Sequence, residues 1–579
     1  MKFSRLAEYF EKIEKTSSRL EITHQLSDAF KHIPAEHFDQ AAYLLQGRVS
    51  PQFESIEFGI ASKMVAKAAV SAMNLDPADF TKALHKNGDL GITVEEFKKQ
   101  YTSFEAKDLT VGEVYDQLLK MAKCAGSGSQ QEKMSIMAHL IRQLDPLSTR
   151  YLVRIPLGVM RLGFSDMTVL DAYSWMVTGD KTLRKQIEGA YHVRPDLGYI
   201  GKQLKVYGAD GLSKVKPEVF TPILMMRAER LSSGEEIIKK IGACAIEPKF
   251  DGFRLQIHAK KKSGITHVKL YSRNLEDVGY MYPDIVEGIT KQMKADEMII
   301  EGEAIGFDAK RESFLPFQET VQRKRKHGIE EKAKEIPLRL FVFELLYADG
   351  KNYMQTPFER RRKEIAQVIA TKNEVKKDVI LIADHEVTDD AKKIELVFEE
   401  AIEKGLEGIL AKKLDGTYRA GAREWNWIKF KRSYSSAIDD TVDCMVMGYD
   451  YGQGKRTDFG IGAFLVGIYD EKNDRFLTVS KIGTGLTDEE WREMKTRAGK
   501  FKTDTQPALY EVNKLMNVNV WIKPGIVVEI KADEITKSPM HTAGLALRFP
   551  RLVRFRDDKR PEESTSLKEM ERMFQGQKK

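Results

Sequence analysis

Glu247-Pro-Lys249-Phe-Asp251-Gly252-Phe-Arg254 opens the run EPKFDGFRLQIHA at 247–259, and its reading decides the fold of the middle of this chain. A lysine enters a strand-turn-strand between two carboxylates, with an arginine following within five residues. Such a lysine is held rather than trailing in water. An amine attacks phosphorus only when unprotonated, so a nucleophilic Lys249 needs desolvation or a nearby cation, Arg254 or a metal, to shed its proton. Taken alone, the octet reads more simply as a turn carrying a surface ion pair.

Around it lie short β-rich runs divided by Gly, Asp and Asn: FRLQIHA, THVKLYS, EMIIEGEAIGF and LRLFVFELLY. ERRRKEIAQVIA and KKIELVFEEAIEKG interrupt them at helical period, so the stretch from residue 244 to about 430 is mixed α+β. Upstream, apolar residues recur at helical spacing to about residue 215. Phe3, Leu6, Phe10 and Ile13 share one face, and Val169, Leu170, Tyr173 and Met176 another. AGSGSQQ at 125–131 and HVRPDLGYIG from 192 read there as inter-helix loops. Beyond residue 440, TVDCMVMGYD, GAFLVGIYD, DRFLTVSKIG and PGIVVEIKADEI predict a small barrel or sandwich, with a hairpin tip at Glu471, Lys472 and Asn473.

At 579 residues the chain holds about three or four domains at roughly 150 residues each, which excludes a single small binding module. Its charged residues, 31% of the total, mix both signs, which argues against long disordered tails. The net charge of +7 does not by itself establish a polyanionic partner. Cys124, Cys244 and Cys444 stand too far apart and too few for a four-cysteine zinc site or a disulfide framework. MKFSRLAEYFEKIEK lacks the apolar stretch of a signal peptide, and no segment has 18 uncharged apolar residues. An intracellular protein, cytoplasmic or nucleoid-associated and away from membranes, is expected.

The usual nucleotide devices are missing: no GK[ST] of a P-loop, no GxGxxG opening a helix, no HExxH. Glu301-Gly-Glu303 instead ends an apolar strand, Phe343-Glu344 lies inside LFVFELLY, and Glu407-Gly408 sits in EKGLEGILAKK. Carboxylates in apolar runs are costly to bury unpaired, so each is expected to face a cation, a metal or a ribose hydroxyl. Singly, each also fits a strand-end or edge carboxylate. Trp427-Ile-Lys429-Phe-Lys431 puts two ammonium groups on one sheet face, enough to hold a phosphate, though a solvated strand face explains it equally. Arg548, Arg551, Arg554, Arg556, Lys559 and Arg560 form the densest basic cluster, interleaved with Leu547, Phe549, Leu552, Val553 and Phe555.

In order, these segments resemble the six collinear motifs of the covalent nucleotidyltransferases, specifically ATP-dependent DNA ligases of the archaeal and eukaryotic replicative branch. EPKFDGFR is similar to the lysine motif, LYSRNLEDVG to the second, FVFELLYADG to the third, EGILAKK to the fourth, WNWIKFKRSY to the fifth and LRFPRLVRFRDDK to the sixth. RLGFSDMTVLDA, PFQETVQRKRK and SPMHTAGLALRFPR extend the resemblance over essentially the whole chain. Departures are minor: MMRAER at 225–230 differs from the usual Pro-Met-Leu-Ala-Glu-Arg, and Glu344 stands where many relatives have Asp.

The resemblance implies a multidomain fold: an all-α DNA-binding domain over 1–215, an α+β nucleotidyltransferase (adenylation) domain over 216–432 and a β-barrel OB-fold domain over 433–579. It implies that Lys249 forms the phosphoramidate to AMP, Glu247 helps seat adenine, and Arg254 and Glu303 hold the ribose. Arg273 would meet phosphate, Phe343 would stack on adenine, and Glu407 with Glu303 would serve the metal. Lys429 and Lys431 would contact the α-phosphate, and Arg548 with the basic residues after it would orient the departing pyrophosphate. ATP, magnesium (or manganese) and nicked double-stranded DNA follow as cofactors and partner, for a monomeric chain in replication, repair or recombination, with a sliding clamp as a candidate further partner. Three competitors are open to test. NAD-dependent ligases carry a four-cysteine zinc module that three cysteines cannot supply. An RNA ligase or capping enzyme would not need the long helical third. An inert nick-binding scaffold would not need Lys249, Glu407, Lys429 and Lys431.

Overall fold

Phe3, Leu6, Phe10 and Ile13, one face of the Phe3–Glu14 helix, are fully buried in the computed structural model, in a core shared with Val169, Leu170 and Tyr173 of the Asp166–Thr178 helix. The structure describes residues 1–577 apart from 102–106, 309–312, 316, 326, 404–405, 432–440, 453–459, 484–485, 533, 539 and 549. The helical character continues through the Leu197–Tyr207 helix. Both expected loops are shorter than their Gly, Ser and Pro content suggests. Ser129, Gln130 and Gln131 already belong to the Ser129–Gln143 helix, which starts after left-handed Gly128. LGYIG is likewise helical, because the Asp196 side chain accepts from the Tyr199 N–H and nucleates the next helix three residues after the last one ends.

The chain divides into two compact units, Met1–Phe430 and Lys431–Lys579. Besides the helices, the first contains two sheets built from β1 (Arg227–Arg230), β2 (Cys244–Lys249), β3 (Phe253–Lys262), β4 (Ile265–Tyr271), β5 (Glu297–Asp308), β6 (Ser313–Phe314), β7 (Leu338–Ala348), β8 (Lys351–Asn352), β9 (Ile380–Ile382), β10 (Glu386–Thr388), β11 (Gly408–Lys413) and β12 (Arg423–Lys431). One sheet runs β1-β12-β11-β2-β10, the other β4-β3-β5-β7-β8 with β6 on β5 and β9 on β7. The helices Gly234–Ile241 and Ala391–Glu403 cover the first sheet through Ile237, Ile241, Ile394 and Phe398, while Pro283–Gln292 and Phe358–Val368 cover the second through Ile285, Ile289, Ile365 and Val368. Between the sheets, Ile223, Met226, Ile299, Leu346, Tyr418 and Trp427 form a smaller core. Glu301 and Glu303 lie inside β5, not at its end as the sequence reading had it; β5 continues five residues further because Ala304, Ile305 and Phe307 stay buried.

The second unit is strand-rich. Val442–Asp450 pairs with Ala463–Asp470, which pairs with Arg475–Ile482, and Glu471, Lys472 and Asn473 make the expected hairpin tip. Val442–Asp450 also carries Val520–Ile522 and Val527–Lys531 end to end on its other edge. The described pairings form an eight-stranded sheet whose ends are not joined, so they do not establish the OB-fold barrel that the resemblance implies. Trp491, Met494 and Ala498 of the Asp488–Phe501 helix, an element the strand spacing did not suggest, pack into its core. Among the described residues no helix is long and apolar enough to cross a membrane, and the three cysteines are unpaired.

Candidate active site

β2 runs antiparallel to β11 with Lys249 opposite Gly408, and the Glu407 N–H donates to the Lys249 carbonyl, so the end of one strand and the start of the other bring their side chains together. There the Lys249 ammonium and the Glu407 carboxylate form an ion pair. The turn to β3 requires Gly252: a Cβ at that position would stand 2.2 Å from the Ala304 carbonyl oxygen of β5. β3 then pairs with β5 so that Arg254 lies opposite Glu303. A cleft of about 1200 Å³ gathers Glu247, Lys249 and Glu407 with Arg254, Glu303 and Phe343 of the second sheet. Exposed Arg273 and half-buried Lys429 complete its rim. Lys431, on the same face of β12 as Lys429, ends the strand outside that lining. Arg548 closes the Leu545–Arg548 strand, and its side chain lies outside the described residues, as do Phe549 and the Arg432–Tyr434 part of the fifth motif.

The carboxylates in apolar runs do face cations. Glu301 accepts from Arg254 Nη2 at 2.6 Å, and Glu344 is gripped by Arg361 at 2.7 Å, both carboxylates being wholly buried. Burial pushes Glu344 up, but Arg361 outweighs it and holds the carboxyl below its usual range. Glu303 moves the other way. Burial raises its carboxyl to about 7 against the pull of Lys249 and Arg254, and nearby Glu407 and Asp251 add to the rise.

The Glu247 end is built differently. Lys412, with no exposed surface, donates to Glu247 Oε2 at 2.6 Å and to the Phe343 carbonyl at 3.1 Å. Its ammonium also lies 4.7–4.9 Å from the ring centres of Trp427, Phe343 and Phe358. Burial lowers its affinity for the proton, and Glu247 counteracts this. Glu247 Oε1 has no hydrogen-bond partner among the described residues, and neither has Arg254 Nε. A buried acceptor and a buried donor thus border the cleft unused.

The sequence reading offered Arg254 as an activating cation for Lys249; its guanidinium bonds Glu301 and the Met226 carbonyl, and Lys249 pairs with the anionic Glu407. Lys412, Tyr418 and Trp427 were not singled out from the sequence as site residues. Lys412 alternates with Leu410 and Gly408 along β11, a signal that places it on the cleft side, whereas nothing local marks Tyr418, which follows a turn. The C-terminal basic cluster is also less available than it reads. Arg554 pairs with Glu529 at 2.7 Å, Arg556 and Lys559 with Asp443 at 3.0 and 2.6 Å, and Arg560 with Glu563 at 3.3 Å.

Three family models match the chain: DNA ligase N terminus over 2–174, ATP dependent DNA ligase domain over 225–431 and ATP dependent DNA ligase C terminal region over 457–559. A Dictyoglomus turgidum protein named "Probable DNA ligase" is 46% identical over all of this chain and 98% of its own length. "DNA ligase 2" of Thermofilum pendens is 39% identical and "DNA ligase" of Sulfolobus acidocaldarius 37%, with 98% of each covered, by 100% and 99% of this chain respectively. The solved structure "Pmar-Lig_PreS3" shares the fold at a TM-score of 0.56 and 18% identity, covering 95% of this chain and 99% of its own.

Proposed function

We infer the function from one premise: this chain belongs to the ATP-dependent DNA ligase family. It seals single-strand nicks in duplex DNA with ATP, through a lysyl-AMP intermediate formed on Lys249. The observation that carries this reading is the geometry of β2, where Lys249 meets Glu407 while Glu247, two residues back on the same strand, has a buried Oε1 that accepts no hydrogen bond among the described residues and could take one from a purine amino group.

In the first step the Lys249 amine, its proton lost to solvent, attacks the α-phosphorus of ATP. An N–P bond forms, the bond to the bridging oxygen breaks, and pyrophosphate leaves. The oxygen of a 5′-phosphate at the nick then displaces the lysine and receives AMP. Finally the 3′-hydroxyl attacks that 5′-phosphate, losing its proton, and AMP departs as the phosphodiester closes. Positioning and charge neutralisation suffice for such displacements. Phe343 would stack on adenine, Arg254 through its spare Nε and Glu303 would meet the ribose, and Arg273, Lys429 and Lys431 would meet phosphate. Glu407 and Glu303 would hold a magnesium or manganese ion, and the fit is good: Glu303 is crowded by two further carboxylates, a surplus of negative charge that a cation relieves. No group of three or more ligands occurs among the described residues, so phosphate and water oxygens would complete the sphere, as magnesium commonly requires. Bound there, the ion would offset the charge that accumulates on the phosphates.

The domain assignment belongs to the same reading: 1–215 grips DNA, 216–432 is adenylated, and 433–579 is an OB-type domain presenting Arg548 to pyrophosphate. The antiparallel run of three strands from Val442 to Ile482, and the second pairing edge of its first strand, support the OB assignment. The chain would act as a monomer. Incubation with ATP labelled at the α-phosphate, followed by a denaturing gel, tests the reading: a labelled 66.0 kDa band is expected, lost in Lys249→Ala, while sealing of a pre-adenylated nick survives. An unlabelled wild-type chain that still binds nicks would make it a scaffold.

A further inference from the structure

β3 sends Arg254, Gln256 and His258 to one side of its sheet, and that side, unlike the apolar one bearing Leu255 and Ile257, is polar and buried. Its hydrogen bonds form a closed chain. The Phe220 N–H donates to His258 Nδ1 at 2.9 Å, which leaves Nε2–H to donate to Gln256 Oε1 at 2.9 Å. That oxygen also accepts from the Ile223 N–H at 2.7 Å, so the Gln256 amide nitrogen must face the other way. It donates to the Ile223 carbonyl and to Glu301 Oε1, both at 3.0 Å. Tyr418 Oη accepts from the Met226 N–H at 2.9 Å, which directs its proton to Glu301 at 3.0 Å. Glu301 is thereby left one orientation, with Oε2 on Arg254 Nη2. The far end is strained: Phe220 has φ +75°, a left-handed value unusual for a bulky residue, and the His258 and Tyr271 side chains hold its N–H and carbonyl.

We infer that Gln256 and Tyr418 are positioning residues, which fix Glu301 and through it aim the Arg254 guanidinium at the nucleotide, with Gln256 linking that aim to the Phe220–Ile223 segment. The inference rests on the proposed reading of Arg254 as a nucleotide contact. Neither residue needs to touch ATP. Each withholds from Arg254 the alternative geometries a lone buried carboxylate would allow, because Glu301, Gln256, His258 and Tyr418 are all hydrogen-bonded to one another or to backbone, so a change in one strands a polar group of its neighbour.

The test measures lysine-adduct formation against ATP concentration in the full chain, for the wild type, Arg254→Lys, Gln256→Met, Tyr418→Phe and the two double variants, with thermal melting alongside. Gln256→Met and Tyr418→Phe should each raise the half-saturating ATP concentration about tenfold at little cost to the plateau rate. In the Arg254→Lys background the same changes should add less than about twofold, since residues acting through one group are not additive. Should Gln256→Met not fold, Tyr418→Phe, which loses a single oxygen, carries the cycle. A full tenfold effect in the Arg254→Lys background overturns the inference. So does unchanged ATP dependence in both single variants while Arg254→Lys is impaired. Unchanged ATP dependence in Arg254→Lys itself overturns the nucleotide reading of that arginine, and the inference with it.

Discussion

Lys412 gives up all contact with water to hold Glu247, which makes the pair sensitive to substitution. Removing one member of a buried ion pair leaves the other charge stranded, at a cost of about 3–5 kcal/mol. Lys412→Met should therefore lower stability by about that amount in denaturant titration, because the remaining cation near Glu247, Arg362, is 4.0 Å away. Adding Glu247→Gln should recover much of the loss. Recovered stability with a still-raised ATP requirement would separate the two duties of Glu247. Phe343 borders the same cleft and packs edge-on to Trp427. Phe343→Leu keeps most of the packing volume but removes the aromatic face. It should weaken ATP use by about 1–3 kcal/mol, the worth of base stacking in nucleic-acid sites, taken by analogy, while nick binding in a gel-shift titration stays level.

At the scale of elements, the β2–β3 turn depends on a close approach that no side chain tolerates. In Gly252→Ala the new methyl would meet the Ala304 carbonyl oxygen, so the turn must lift off β5 and carry Lys249 with it. Displacing a reacting group by about 1 Å can cost about 100-fold, so adduct formation should fall by that order in single-turnover assays while far-ultraviolet circular dichroism stays native. β3 also confers acid sensitivity. Burial, reinforced by Lys269, pushes His258 down to about 3 from an ordinary 6.5. As pH falls below 6.5 the unfolded chain takes up a proton that the folded chain refuses until about 3, so stability declines across that window, by up to about 1.4 kcal/mol per pH unit. His258→Asn keeps an acceptor within its side chain but cannot titrate there. Its melting temperature should decline less steeply than that of the wild type between pH 6.5 and 4; parallel declines would mean that other groups set the acid response.

For the whole molecule, four of the six cations of the C-terminal cluster, Arg554, Arg556, Lys559 and Arg560, are engaged with carboxylates of their own unit. Arg548 and Arg551, which open the sixth motif, are the pair to test for pyrophosphate. Arg548→Ala with Arg551→Ala should suppress adduct formation by about 100-fold or more, the scale on which loss of leaving-group stabilisation acts. A nick supplied already adenylated bypasses pyrophosphate, so its closure should fall much less. Equal loss in both assays by a folded double variant would assign these arginines to DNA. Arg554→Ala should instead lower the melting temperature of the second unit, since it strips Glu529 of a direct partner.

Much of this was legible in the chain itself. Helical spacing at Phe3, Leu6, Phe10 and Ile13, alternation in LFVFELLY and the order of six motifs each register in a short window, because the 3.6 and 2.0 residue periods are local properties of the backbone. The same logic foresaw that carboxylates in apolar runs would meet cations, since burying them alone is prohibitive. Which cation met which carboxylate was not legible. Arg254 lies five residues from Lys249 in sequence yet serves Glu301 across the sheet, and Glu247 depends on Lys412, 165 positions further on by residue number, because strand register and not sequence distance sets those contacts. Loop lengths escaped for a related reason: a capping side chain such as Asp196 can start a helix within three residues of the last one. The sequence by itself determined the chemistry and its order along the chain, because nucleophile, carboxylates and cations are residue types. The tertiary structure decided the partners, the two orphaned atoms at the cleft and the buried strip behind Arg254, because these arise only when two sheets bring residues remote in sequence within hydrogen-bond reach.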